Sequence, residues 1–297
     1  MRLNQVRDFV AVVDAGSISA AARALGVSQP GLTKSLGALE AELNAPLLQR
    51  GPRGVGLTRY GRAFYARARA AHTELEKARQ ELVHLTGERT GQLSIGFGPL
   101  AAALVVPAAV SRFHQQYPRV EVRLIEGFAH VLIPLVRDET LDLMVGPRLP
   151  GHQAEPALKF RPVFHNEQIV VSRRGHPLAG AATAQQLAEA HWVSFEPRPV
   201  HDRMLAGLGL AGAREMIQCE SLNVLVALLA TSDMLAIASR RILALPQSGK
   251  ALQEIRIAER VPSMTTGLYM RADSPPTPPA AAMSKLLLEI GRGLAAR

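Results

Sequence analysis

Apolar positions recur at helical spacing through the first seventy residues. Val6, Phe9, Val10 and Val13 fall at i, i+3, i+4 and i+7, one face of a helix that Gly16 stops. Ser17 caps a short second helix whose inward positions are Ile18, Ala21, Ala22 and Leu25. Gly26 and Val27 turn the chain. Ser28 then caps a third helix with Pro30 in its first turn, where a missing N–H costs no hydrogen bond. Leu32, Leu36, Leu39 and Leu43 form that helix's buried stripe and leave Gln29, Thr33, Lys34 and Gly37 facing outward. Two short helices joined by a tight, Gly-containing turn make a helix-turn-helix whose last helix is the reading element. Residues 47–50 and 55–58 flank Gly51-Pro52-Arg53-Gly54 and predict a small hairpin, a wing with Arg53 at its tip.

A long helical pattern follows Thr58. Phe64, Ala68, Ala71, Leu75, Ala78, Leu82 and Leu85 alternate at spacings of four and three, a seam for pairing with a second copy. The alternative is an amphipathic helix laid on the body of the protein. After a break at 86–91 the pattern changes. Strand-like runs at 93–96, 120–126 and 141–145 alternate with helical runs at 101–117 and 130–137. A second series has strands at 168–172, 192–195, 217–219, 234–237, 252–257 and 266–270, with helices at 201–208, 222–231 and 279–295. Such alternation predicts α/β layers with parallel strands. Residues 274–279, Ser-Pro-Pro-Thr-Pro-Pro, are a stiff connector. Residues 90–111 are uncharged, but Gly91, Gly96, Gly98, Pro99 and Pro107 interrupt them, so they read as a strand, a turn and a helix and not as a membrane span.

Composition narrows the classes. The chain has 297 residues, 47% hydrophobic and 20% charged, enough for two domains with real cores. Cys219 is the only cysteine, which excludes a disulfide framework or a cysteine-based metal set and points to a reducing compartment, the cytoplasm. Arg2, Arg7, Asp8 and Asp14 exclude a signal-peptide core. The histidines are scattered with no His-Glu-x-x-His helix, so no metal is expected. Net charge is +9, and residues 1–73, with ten Lys/Arg against four Asp/Glu, carry +6 of it. A basic end built around a helix-turn-helix implies duplex DNA as partner. Gln29 suits adenine, Lys34 guanine or phosphate, and Thr33 a thymine methyl. The candidate DNA contacts are Ser28, Gln29, Pro30, Thr33 and Lys34 on the third helix, with Arg50 and Arg53 on the wing, where arginine fits a narrow minor groove.

The ordered run from Phe9 to Phe64 resembles the DNA-binding end of LysR-type transcriptional regulators. The resemblance is carried by Gly16-Ser17, the Ala-rich second helix, Ser28-Gln29-Pro30, Leu39-Glu40, the Leu47–Arg50 wing, Leu57-Thr58 and Gly61. Gly31, Thr33, Lys34 and Leu48 depart from the residues the family more often carries there, which bears on the operator sequence and not on the fold. The C-terminal two-thirds resemble the family's effector domain through RFHQQYPRVEV at 112–122, LDLMVG at 141–146, HPLA at 176–179 and CESLNVLVALLATSD at 219–233. The wing and the last of these look most similar to regulators of aromatic sulfonate or aromatic acid catabolism.

The resemblance implies an α/β protein with an all-α winged helix-turn-helix at 1–58, a linker helix at 59–89 and a periplasmic-binding-protein-like effector domain at 90–297. Its first subdomain would be 90–161 plus 266–297 and its second 162–265. It implies a dimer through the linker helix and a tetramer beyond that. Promoter DNA, a small organic anion as effector and RNA polymerase are the implied partners, with no resident cofactor and no membrane.

In open α/β sheets ligands sit beyond the carboxyl ends of strands. Those ends place Phe97, Gly98, Pro99, Leu100, Gly127 and Phe128 on one side of a cleft. Phe195, Glu196, Arg198, His201 and Ser221 fall on the other. The phenylalanines would wall an aromatic ligand, while Arg198 or the helix termini would hold its anion; the alternatives are core packing and a solvated loop. Gly96-x-Gly98-x-x-Ala101 with Glu126 imitates a dinucleotide fingerprint, but Pro99 removes an N–H from the phosphate loop. A nucleophile elbow is absent. An architectural DNA binder remains the non-enzymatic alternative, with a two-hundred-residue α/β half left unexplained.

Overall fold

Three short helices open the chain, each stopped by the residue its sequence supplies. The computed structural model describes residues 1–51, 54–85, 90–148, 157–210, 216–246, 248 and 250–295. It divides into two units, Met1–Glu88 and Arg89–Arg297.

In the first unit α1 (Leu3–Ala15) ends at Gly16 and α2 (Ile18–Leu25) at Gly26, both left-handed with φ of 66° and 64°. The Ser17 Oγ accepts the Ala20 N–H, and the Ser28 Oγ accepts the Gly31 N–H to start α3 (Gln29–Leu43). Buried Val12 replaces the expected Val13, which is only half-buried. The reason is that α1 packs against α2, α3 and a later helix at once, so its buried surface is wider than one stripe. Leu43, expected inside, is exposed where α3 ends at left-handed Asn44. A hairpin of β1 (Leu48–Gly51) and β2 (Gly54–Leu57) pairs Leu48 with Leu57 and Gly51 with Gly54. The long helix α4 (Arg59–Leu85) follows and packs its first turns on α1.

The second unit begins with β3 (Thr90–Phe97). The helix expected over 101–117 is two, α5 (Pro99–Leu104) and α6 (Val106–Gln116), broken at Val105 just before Pro107. Then come β4 (Arg119–Glu126), α7 (Ala129–Arg137), β5 (Leu143–Arg148), β6 (Leu158–Asn166), β7 (Gln168–Arg173) and β8 (His191–Ser194). The chain continues with α8 (Arg198–Gly207), β9 (Met216–Gln218), α9 (Leu222–Thr231), β10 (Met234–Ser239), β11 (Leu252–Ile255), β12 (Met264–Arg271) and α10 (Pro278–Ala295).

Two five-stranded sheets result, ordered β4-β3-β5-β12-β6 and β11-β7-β10-β8-β9. They are mixed and not wholly parallel. β3 runs parallel to β4 and β5, and β10 to β8, but β12 is antiparallel to β5 and β6, and β7 to β10 and β11. The subdomain boundaries expected at 161/162 and 265/266 fall inside β6 and β12. Those strands pair with each other along their length, so the chain changes sheet only after Asn166 and before Met264. Apolar clusters cover both faces of each sheet. Leu93, Val105, Phe113 and Met283 represent one cluster on the first sheet and Leu132, Val136 and Met144 the other. On the second sheet Trp192, Met204 and Leu235 lie on one side and Val171, Leu225 and Leu229 on the other.

Candidate nucleic-acid interface and ligand cleft

The third helix is locked by its apolar side. Leu32, Leu36 and Leu39 are buried with Phe9, Val12 and Ala21. Asp8, itself buried, accepts the Ser35 Oγ–H at 2.6 Å and pairs with Arg7, tying α1 to α3. The opposite side of α3 is free: Ser28, Gln29, Pro30, Lys34 and Gly37 are exposed, and Thr33 half-buried. The wing is tethered to the same helix. Glu40 Oε1 accepts the backbone N–H groups of Leu47 and Leu48 at 2.6 and 2.9 Å. The Val55 N–H reaches the Gly16 carbonyl at 3.0 Å. A Cβ on Gly61 would lie 2.0 Å from the Leu47 carbonyl oxygen, so only glycine lets α4 pass the foot of the wing. Arg50 lies in β1, but its side chain and the whole of Arg53 lie outside the described residues.

The expected pairing seam divides. Phe64 and Ala68 pack into the first unit's own core, with the Phe64 ring 5.4 Å from that of Phe9. They hold α4 to α1. Beyond them Leu75 is 45% and Leu82 65% exposed, so the seam's later positions stay open to solvent. A groove runs between α1 and α4, bordered by Met1, Leu3, Val6, Ala71 and Leu75. Ala78 also belongs to α4, and the Leu85 side chain lies outside the described residues.

In the second unit a cavity of about 130 Å³ lies between the two sheets. Gly98, Pro99, Leu100, Gly127 and Phe128 line it from the first subdomain, and Phe195 and Glu196 from the second. The Phe128 and Phe195 ring centroids on the lining are 6.2 Å apart, the rings tilted at 48° to each other. Four expected residues sit elsewhere. Phe97 is buried in the first subdomain's core. Arg198 points outward, its side chain 65% exposed and 3.6 Å from Asp202 one helical turn on. His201 is buried edge-on against Trp192, their ring centroids 6.0 Å apart. Both follow from the periodicity of α8, which turns Val200, His201 and Met204 inward and Arg198 out. Ser221 caps α9 through the Val224 N–H and borders a neighbouring outer hollow with Glu126 and Glu220.

The sequence reading missed the cavity's polar floor. The Asn166 Nδ2 donates to the Thr266 Oγ1 at 2.7 Å, and the Ser239 hydroxyl lies 3.4 Å from the Asn166 Oδ1. Gln168 lines the cavity too, 8% exposed and, among the described residues, without a side-chain partner. These residues come from β6 (Asn166), β7 (Gln168), β10 (Ser239) and β12 (Thr266). Strand β6, with Arg161-Pro162 inside it, gives no alternating signal that would place Asn166 on the floor. Among the described residues no lysine or arginine lines the cavity, against the expectation of a held anion. The Gly98 N–H already bonds the Val145 carbonyl at 2.8 Å and Pro99 has no N–H, so this turn also lacks the donors a dinucleotide phosphate needs. Burial raises the Glu196 carboxyl to about 7. Burial lowers His201 below its ordinary 6.5. Cys219 is buried, its thiol bonded to the Ser221 carbonyl. Among the described residues no cluster of three or more His, Cys, Asp or Glu could hold a metal. Nor is any helix among them long and apolar enough to cross a membrane.

Residues 3–62 match the family model for the bacterial regulatory helix-turn-helix protein, lysR family, and residues 86–292 match the LysR substrate binding domain. The chain belongs to the LysR family. The regulator is 32% identical over 293 residues to the SDS degradation transcriptional activation protein of a Pseudomonas species, covering 97% of this chain and 95% of that one. It is 29% identical over 296 residues to the HTH-type transcriptional regulator PcaQ of Agrobacterium fabrum, covering 97% and 94%. Its fold is similar to a full-length OxyR variant from Pseudomonas aeruginosa, with a TM-score of 0.74 at 21% identity, covering 98% and 95% of the chains. It is also similar to full-length CbnR complexed with its target DNA, with a TM-score of 0.62 at 21% identity, covering 98% and 100%. The LysR regulator is thus a DNA-binding transcriptional regulator with an effector-binding domain, in a family that is not enzymatic.

Proposed function

We propose that the regulator reads a near-palindromic promoter operator through α3 and changes that reading when a small effector enters the cleft. One observation carries the first half: a capped helix whose leucines are buried presents Gln29 and Lys34, both exposed, on its free side. Gln29 would bond an adenine edge at two points and Lys34 a guanine or a phosphate, with the Thr33 methyl against a thymine. Arg50 and Arg53 would follow the backbone or the minor groove from the wing. The exposed Leu75 and Leu82 positions of α4 support pairing into a dimer, which sets two reading helices on one duplex. Assembly into a tetramer would let two such pairs hold and bend one promoter. The cleft supports a small organic effector, with the enclosed Gln168 amide as the clearest sign of a missing partner. In this reading the regulator works in the cytoplasm, meets RNA polymerase at the promoter and needs no resident cofactor.

The test is Gln29→Ala on the site that the wild-type chain selects from genomic fragments. The preferred site should weaken by ~1–3 kcal/mol while base choice at one position of each half relaxes. Equal weakening on every sequence would remove Gln29 from base reading.

A further inference from the structure

The positive charge of this chain is spread unevenly. The reading end carries most of the net positive charge, yet the chemistry of the cleft is acidic. Among the described residues, the titratable groups lining the cavity are Glu196 and His130, and those bordering the adjoining outer hollow are Glu126 and Glu220. Pro99, Gly127, Phe128 and Leu222 border both spaces, so the two are neighbours. Arg198, the nearest basic residue in sequence to Glu196, turns to solvent.

Resting on the reading of this cleft as the effector site, we infer that the effector is a small organic cation, an amine bearing one compact apolar group, bound with its nitrogen at Glu196 and not as an organic anion. The Glu196 turn is built, because its N–H donates to the Ser194 Oγ at 3.0 Å and that hydroxyl returns to the Glu196 carbonyl. Its carboxylate has no hydrogen-bond or ion-pair partner among the described residues. An ammonium carries three N–H donors and no acceptor. Glu196 and the carbonyl end of Gln168 are acceptors still open on the lining, whereas Asn166 and Ser239 already engage each other. The Phe128 and Phe195 rings, tilted at 48° to each other on the lining, add aromatic surface of the kind that attracts a cation in a desolvated space. Leu100, Met204 and Ile237 supply the apolar wall. The volume, about 130 Å³, is close to that of a ~150 Å³ cavity that holds benzene, so a single ring or a short branched chain fills it. Among the described residues the lining offers an anion the Glu196 carboxyl and no lysine or arginine to hold it.

The proposal also fixes a pH dependence. The half-buried Glu196 carboxyl must lose its proton to pair with the amine, so affinity rises as the medium passes from acid through neutrality. His130, on α7, is the other titratable group on the lining. Arg198, Asp202 and His201 lie on α8 behind the site.

The experiment is calorimetric titration of the full-length chain with three matched probes, benzylamine, benzyl alcohol and benzoate, at about pH 8 and about pH 5.5. Benzylamine should bind at the higher pH, at least about tenfold more tightly than benzyl alcohol, with benzoate weaker still. Its affinity should drop at least about tenfold at the lower pH and in Glu196→Gln, a variant that melts no lower than wild type at the higher pH. Benzoate binding as well as benzylamine, or benzylamine binding unchanged in Glu196→Gln, overturns the proposal. If no probe binds, the cationic single-ring class is overturned too. Salt-dependent DNA binding, measured on the same preparation, then reports separately whether the regulator reading stands.

Discussion

Glu196 is the residue where burial and chemistry conflict most. In the unfolded chain its carboxyl ionises near 4.5, and in the folded chain it stays protonated up to about 7. Below the lower value both states hold the proton and nothing is lost. Between the two values the unfolded chain releases its proton while the folded one keeps it, so stability falls as pH rises and stays reduced above 7. Glu196→Gln should therefore raise the melting temperature at alkaline pH and leave it unchanged below about pH 4.5, as a thermal melting series will show. His201 acts in the opposite sense, since its depressed folded value destabilises the protein as pH drops below the ordinary 6.5. The sequence made Phe128, Phe195 and Glu196 legible as cleft residues because they stand just past strand ends. It misassigned Phe97, Arg198 and His201, whose direction depends on how far the strand runs and where the helix starts. Asp8 was invisible for another reason: its Ser35 partner lies on a different helix.

Among the elements, the wing is held by contacts that its own sequence does not contain. Glu40 reaches from α3 to two backbone N–H groups, and Gly61 leaves room for the Leu47 carbonyl. Glu40→Ala should cost ~1–3 kcal/mol by orphaning those donors. Gly61→Ala should cost a similar ~1–3 kcal/mol by displacing the wing. Urea titration of either variant measures the loss, and an unchanged midpoint would show the wing to be held otherwise. The seam on α4 was legible as a repeat, but repetition alone does not say which partner each position meets. Phe64 and Ala68 serve the unit's own core and the later positions are left over. Leu75→Glu with Leu82→Glu should leave folding within ~0.5 kcal/mol, because both sites are exposed. Sedimentation should show the dimer dissociating; a dimer that persists would place the pairing surface elsewhere. Strand β6 was missed because Arg161-Pro162 breaks the alternation, and with it went Asn166, which the strand brings to the cleft floor.

Across the full chain, a regulator must couple two binding events that its sequence places far apart. The fold class and the two-part organisation were readable from the change in period near residue 90 and from the uneven charge. The mixed sheets were not, since pairing direction leaves no mark in a single strand. If effector and operator bias one equilibrium, each changes the other's affinity by the same factor, typically ~5–150-fold. Titrations in both orders check that equality, and unequal factors would mean that a third state takes part.

All of this depends on α3 reading a specific promoter sequence. The deciding experiment is recovery of fragmented genomic DNA by the purified full-length chain at near-physiological salt, followed by sequencing of what is retained. A reading helix should enrich one or a few intergenic sites with paired, near-palindromic halves about one helical turn apart. Uniform recovery of all fragments would contradict it, because binding would then rest on the phosphate backbone alone.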